Sequence, residues 1–311
     1  MEIREGKGLL EQVDARTKLA GSNKMEILLF SLGTKEVYGI NVFKVREVGQ
    51  TPNVTKTPNM PKGVEGLISL RGKVIPVLSL ASFVNPGAEH PPMTKTIIAE
   101  YSKHVLGFLV HDVDKIIRVD WEKVKSPESV LYSNQSTITA IVELDNGTLV
   151  SILDVEQILA SAFGEAMIGD IAPVEKKDSA IFFCDDSAIA RKKIVEVLDK
   201  LGIKHTHGIN GLDGWNKLQA IADQAEQRGA TVKDEIKFIL VDAEMPEMDG
   251  YVLTKNIKSD KRFEGVPVVM HSSLSSEANH AMGKTVGVDL YVAKFDAEVL
   301  SDTLRPLIDK E

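Results

Sequence analysis

Leu240–Tyr251 reads LVDAEMPEMDGY. A short buried-strand pattern, Ile236–Val241, ends in Asp242. An acidic loop follows, and after Asp249-Gly250 the apolar residues of Tyr251–Lys258 recur at helical spacing. A short β-branched run feeding a helical pattern is what a strand buried on both faces looks like when it leads into a crossover helix. The same alternation extends in both directions. Ala180–Cys184, Val266–Met270 and Leu290–Ala293 are further buried-strand patterns, and Ala188–Leu201, Leu212–Gln227 and Ala297–Ile308 are further helical ones. Residues 179–311 are therefore expected to form a doubly wound, flavodoxin-like α/β domain with a parallel sheet covered on both faces.

In such a sheet, ligands bind outside the carboxyl ends of the strands. Those ends carry Cys184-Asp185-Asp186, Asp242, His271-Ser272 and Ala293-Lys294. Three carboxylates converging in a partly dry pocket repel one another, so the arrangement makes physical sense with a cation among them. All-oxygen ligands select a hard ion such as Mg²⁺, which commonly bridges to phosphate oxygens. Asp242 can then act as a nucleophile on phosphorus, with Lys294 neutralising charge on the transferred group and Ser272 donating a hydrogen bond to it. Each residue alone has a plainer role. Asp186 with Ser187 would cap a helix, Ser272 and Lys294 would be loop residues, and Asp242–Gly250 would be an acidic loop closed by an Asp-Gly turn. The conjunction of four strand ends favours the chemistry.

Upstream, AMIGDIAPVEKKD (166–178) holds Gly169, Pro173 and a charged run without sustained periodicity, and reads as a linker. Before it lie short β-branched runs: Glu26–Leu32, Val37–Ile40, Val45–Val48, Val74–Leu78, Thr96–Tyr101, Val105–Val110, Ile138–Leu144 and Thr148–Leu153. Turn signals such as Arg71-Gly72 and Asp145-Asn146-Gly147 separate them, so 1–165 is expected to be all-β and barrel-like. Leu9, Leu10, Val13 and Leu19 are spaced as a short amphipathic helix ahead of the first strand. Gly66–Val74 resembles a phosphate-binding loop only briefly: five residues separate the glycines, and Val74 stands where Ser or Thr is needed.

Composition narrows the function class. The chain of 311 residues is 43% hydrophobic and 26% charged, enough to bury more than one core. Its net charge of −8 argues against nucleic acid, which requires clustered cations, and no apolar run is long enough for membrane insertion. The acidity sits mainly in the second half: 18 Lys+Arg face 20 Asp+Glu in 1–165, and 19 face 25 in 166–311. A cytoplasmic protein is expected, and the single cysteine, Cys184, reads as a small apolar strand residue.

FFCDDS, LVDAEMPEMDGY, VVMHSS and YVAKF resemble, in order and spacing, the motifs of response-regulator receiver domains of two-component signalling. The resemblance implies that Asp242 is the phospho-acceptor. It also implies that Asp185, Asp186 and Asp242 hold Mg²⁺ with the backbone carbonyl of Glu244, and that Ser272, Tyr291 and Lys294 form the switch. Phe295 replaces the proline usual after the lysine, so a trans Lys294–Phe295 peptide is expected. PKGVEGLISLRGKVIPVLSL, with LLFSLGTKEVYGINVFKVREV upstream, resembles the CheW-like coupling module of bacterial chemotaxis, a pair of five-stranded barrels that bridges chemoreceptors and the histidine kinase CheA. That likeness makes Arg71 a partner-binding residue. A coupling module followed by a receiver is the organisation of the CheV family. It implies an adaptor between chemoreceptors and CheA adjusted by phosphorylation of Asp242, with no enzyme activity beyond the receiver's own phosphorylation and dephosphorylation. A phosphate sink draining CheA is the alternative; a hydrolase of external substrates is disfavoured, because Asp242 follows the third strand and not the first.

Overall fold

The computed structural model describes residues 24–101, 104–125, 137–164, 171–174, 180–272, 277–294 and 297–309, which form two compact units divided near residue 165. The amphipathic helix expected before the first strand, and Phe295 with its peptide bond, lie outside those residues.

The first unit contains β1 (Lys24–Ser31), β2 (Val37–Asn41), β3 (Val45–Gln50), β4 (Val64–Leu70), β5 (Lys73–Ser79), β6 (Lys95–Tyr101), β7 (His104–Val110), β8 (Asp112–Asp120), β9 (Val124–Lys125), β10 (Ile138–Glu143) and β11 (Leu149–Leu153), with short helices α1 (Leu80–Val84) and α2 (Val155–Phe163). Two sheets result, in the orders β8-β1-β2-β11-β10-β9 and β3-β6-β7-β5-β4. The two-residue β9 takes the first sheet beyond the expected five strands. Strand β1 lies between β2 and β8, so Met25 and Ile27 to Phe30 are all buried. Met25, Ile27 and Leu29 meet Trp121, Val142 and Ile152 in one cluster, and Ile68, Ile75, Val77, Ile98 and Leu109 form a separate one. Each such side chain contributes on the order of 1.5–3 kcal/mol by leaving water. The expected Asp145-Asn146-Gly147 turn closes the β10–β11 hairpin, with Gly147 at φ 79° and its N–H donating to the Leu144 carbonyl at 2.8 Å. Strand β8, DVDKIIRVD, escapes sequence reading. Among the described residues it pairs only with β1, at the sheet edge, which lets charged residues stand in it.

The second unit is a five-stranded parallel sheet of β12 (Ala180–Cys184), β13 (Lys204–Gly208), β14 (Ile239–Asp242), β15 (Val268–Ser272) and β16 (Leu290–Ala293), ordered β13-β12-β14-β15-β16. Its helices are α3 (Ala188–Leu201), α4 (Gly211–Gln227), α5 (Val232–Glu235), α6 (Gly250–Ser259), α7 (Glu277–Val286) and α8 (Ala297–Asp309). One face is covered through Ile194, Leu198, Leu300 and Leu304, the other through Leu218, Ala222, Leu253 and Ile257. Ile239, Leu240 and Val241 of the central strand have no exposure, which is why that strand reads as an uninterrupted apolar run. The chain winds from β12 outward to β13 and then returns to β14 on the other side of β12. The crevice between the ends of β12 and β14 is thus the switch point of this topology.

The stretch 166–178 expected as linker is not uniform. Val174 is buried in the α3/α8 core, and Ile171 packs against it, so residues 171–174 belong to the second unit.

Candidate functional site

Asp185 follows β12 directly and Asp242 ends β14, so the topology sets them on either side of the switch point. Asp185 is completely buried, Asp242 nearly so, and Asp186 is half-exposed. The Asp185 carboxylate accepts the Ser187 N–H at 2.9 Å, and Ser187, not Asp186, caps α3 by accepting the Ala190 N–H. Of the pair Asp186-Ser187 read as a cap, Ser187 is the residue that fills the role. Arg191 donates to the Asp185 carbonyl at 2.9 Å and fixes the same turn. Carboxylate oxygens of Asp185, Asp186 and Asp242 all lie within 4.8 Å of one another.

Lys294, one residue beyond β16, is 3% exposed, and its Nζ lies 2.9 Å from Asp185 Oδ2 and 2.9 Å from Asp242 Oδ2. A lysine buried this deeply is retained because two carboxylates offset the cost of removing its charge from water. Ser272, at the end of β15, is buried too, and its carbonyl accepts the Lys294 N–H at 3.1 Å. One site thus gathers the side chains of Asp185, Asp186, Asp242 and Lys294, with Ser272 joined to it through its backbone carbonyl. Three carboxylates against one ammonium leave it anionic, and their hard oxygen atoms fit a divalent cation such as Mg²⁺.

Beside Asp242 the acidic loop is packed tightly. Met245 is buried, Glu247 takes φ 67°, and a Cβ on Gly250 would lie 2.0 Å from the Asp242 carbonyl oxygen. Asp249 accepts the Val252 N–H at 2.7 Å, so Asp249-Gly250 starts α6 and does not merely turn the chain. Glu244, whose carbonyl the receiver resemblance assigns to the ion, is half-buried two residues past Asp242.

Tyr291 is half-buried on β16, and its hydroxyl lies against Gly283 of α7, where a Cβ would come within 1.5 Å of it. Its neighbour Tyr251, at the start of α6, escaped sequence reading because a tyrosine in a helical pattern reads as core. Burial pushes both phenols above the ordinary range; Tyr291, Glu244 and Asp249 add to the effect on Tyr251.

In the first unit, Arg71 and Gly72 form the two-residue turn between β4 and β5, at φ 49° and 79°. Two left-handed residues are the type I′ hairpin geometry, which favours Asn-Gly; an arginine there is strained. The Arg71 side chain is 81% exposed and pairs with Glu47 of β3. Val74, beside it, is 67% exposed.

Comparison with known proteins agrees with this organisation. Residues 26–163 match the CheW-like domain family and residues 181–305 the response regulator receiver domain family. The chain is 33% identical to the chemotaxis protein CheV3 of Helicobacter pylori, over 88% of this chain and 89% of that one. It is 25% identical to CheV1 of the same organism, over 96% and 98%. The solved scaffolding protein TtCheW from Thermoanaerobacter tengcongensis is 30% identical, covering 46% of this chain and 97% of its own, with a TM-score of 0.41.

Proposed function

The chain belongs to the CheV family of chemotaxis coupling adaptors, and we propose that its coupling of chemoreceptors to the kinase CheA in the cytoplasm is set by phosphorylation of Asp242. The observation carrying this reading is the placement of Lys294 Nζ at 2.9 Å from both Asp185 and Asp242 in a buried acidic crevice. An oxygen of Asp242 attacks the donor's phosphorus as the donor's bond to phosphorus breaks, its electron pair leaving with the donor. Lys294 neutralises charge that the transferred group brings, and the Ser272 hydroxyl donates to one of its oxygens. Asp185, Asp186, Asp242 and the Glu244 carbonyl are the residues that would hold Mg²⁺, which when bound screens the carboxylates from the incoming phosphoryl group. Tyr291 and Ser272 transmit the change. Arg71, strained and exposed beside Val74, is assigned to the partner-binding face of the coupling domain.

The test is labelling of the full chain by acetyl phosphate with Mg²⁺. Acid-labile, base-labile label is expected on the wild type and none on Asp242→Asn, whose amide is a poor nucleophile. Equal labelling of the two proteins overturns the assignment.

A further inference from the structure

Residues 171–174, Ile-Ala-Pro-Val, run without helix or strand over the second unit and are held there at three points. The Val174 N–H donates to the Leu201 carbonyl at 3.0 Å, satisfying an acceptor that the last turn of α3 leaves open. Val174 is 5% exposed and joins Leu201, Ile203, Leu300, Leu304 and Ile308 in one core cluster. The Arg305 guanidinium of α8 donates to the Ala172 carbonyl. This strap is thus gripped between the far ends of two helices that pack on each other.

Both helices begin at the carboxylate site. Helix α3 starts immediately after Asp185, Asp186 and their cap Ser187, and α8 starts three residues after Lys294. An α-helix of this length spans about 20 Å, so a small tilt at the site end becomes a displacement at the strap end. Helix α8 also contains Pro306, next to Arg305. Proline removes a backbone hydrogen bond inside the helix and leaves it pliable where it grips the strap.

We propose that the strap reads out the state of the site. When Asp242 carries a phosphoryl group, Lys294 follows the new charge, α8 moves relative to α3, and the hold on residues 171–174 loosens. The idea rests on Asp242 being the acceptor and adds the route by which its state leaves the domain. Linkage makes the coupling reciprocal: loosening the strap favours the phosphorylated form.

The strap supplies a reporter, because the Val174 amide is hydrogen-bonded and Pro173 has none. Amide-resolved hydrogen exchange on the full chain with Mg²⁺ is expected to show that amide exchanging roughly tenfold faster with beryllofluoride than without. Arg305→Met and Val174→Ser should raise exchange at the strap without beryllofluoride and tighten beryllofluoride binding by roughly two- to tenfold. Both variants should still accept label on Asp242. Equal protection of Val174 with and without beryllofluoride, in a wild type that is labelled, overturns the strap alone and makes residues 171–174 a fixed part of the fold. Unchanged beryllofluoride affinity in both variants overturns it as well. A wild type that takes no label overturns the reading of Asp242 and the strap with it.

Discussion

Lys294 Nζ stands 2.9 Å from Asp242 Oδ2 in a site where both side chains are at most 5% exposed. The same ammonium is shared with Asp185. Removing it leaves two buried carboxylates facing each other without their cation. Lys294→Met is expected to cost about 3 kcal/mol in stability, the lower part of the range for breaking a buried ion pair. Urea unfolding followed without divalent cation checks this. Added Mg²⁺ should restore part of the loss, because a cation can take over the neutralisation; no loss would mean that the ion pair contributes nothing net.

Asp186→Asn should weaken Mg²⁺ binding while leaving the fold intact, since the cap of α3 is Ser187. Trp215, whose ring lies 6.1 Å from that of Phe263 and which, like Met248, packs against the core cluster of Leu218 and Leu253, provides the fluorescence signal for a titration. A wild-type binding curve in the variant would remove Asp186 from the ligand set.

Gly283→Ala should drive Tyr291 from its seat. In an exposed helix this change ordinarily stabilises by about 1 kcal/mol, but here the new methyl would meet the tyrosine hydroxyl at 1.5 Å. The phenol is the free end of a side chain, so the ring is expected to swing outward while the domain stays folded. Spectrophotometric titration, with Tyr291→Phe to assign the signal, should show a phenol whose pKa falls back toward 10 as burial, the main cause of its elevation, is relieved. An unmoved titration curve would mean that α7 yields in place of the ring.

At the Arg71 turn, substitution separates backbone strain from charge. Arg71→Gly relieves the φ of 49° and should leave stability equal or slightly raised, because the exposed pair with Glu47 is worth little. Arg71→Glu places a carboxylate beside Glu47. If Arg71 belongs to the coupling face, both variants lose receptor or CheA binding in pull-downs, the glutamate more severely. Full binding by Arg71→Glu excludes the residue from that face.

Acid should loosen the far side of the second unit in a defined window. Hydrogen bonds and charge from Arg262, itself tied to Asp223 and Gln219, hold Asp260 down to about 2 from 3.8. A depressed carboxylate contributes stability above its unfolded pKa and loses that contribution as pH falls from about 4 toward 2. Asp260→Asn should therefore flatten the pH dependence of unfolding across that interval, as followed by circular dichroism. A slope unchanged from wild type would assign the acid sensitivity elsewhere.

Much of this molecule is legible without coordinates, and the reasons are local. Ala180–Cys184 and Ala188–Leu201 are found at the bounds expected of them, because a strand buried on both faces and a one-sided helix write their period into the chain. The edge strand Leu290–Ala293 is found as well, because its residues stay apolar although Leu290 is exposed. The acidic residues and lysine at strand ends follow from a topological rule, and the family follows from motifs in order. Strands β8 and β13 are invisible for the opposite reason: their edge position tolerates charged and polar residues such as those of KHTHG, and these break the pattern.

Sequence alone determined which residues stand at the strand ends and that two domains are joined in this order, since both depend on the spacing of residue types along the chain. Only the tertiary structure decided that Ser187 and not Asp186 caps α3, that Tyr291 rests on Gly283 beside Tyr251, and that residues 171–174 are clamped by Leu201 and Arg305. Each of these is a contact between segments far apart in the chain or a choice between adjacent polar groups. Such choices are made by packing and by which donor–acceptor pairing is lowest in free energy, and no periodicity records them.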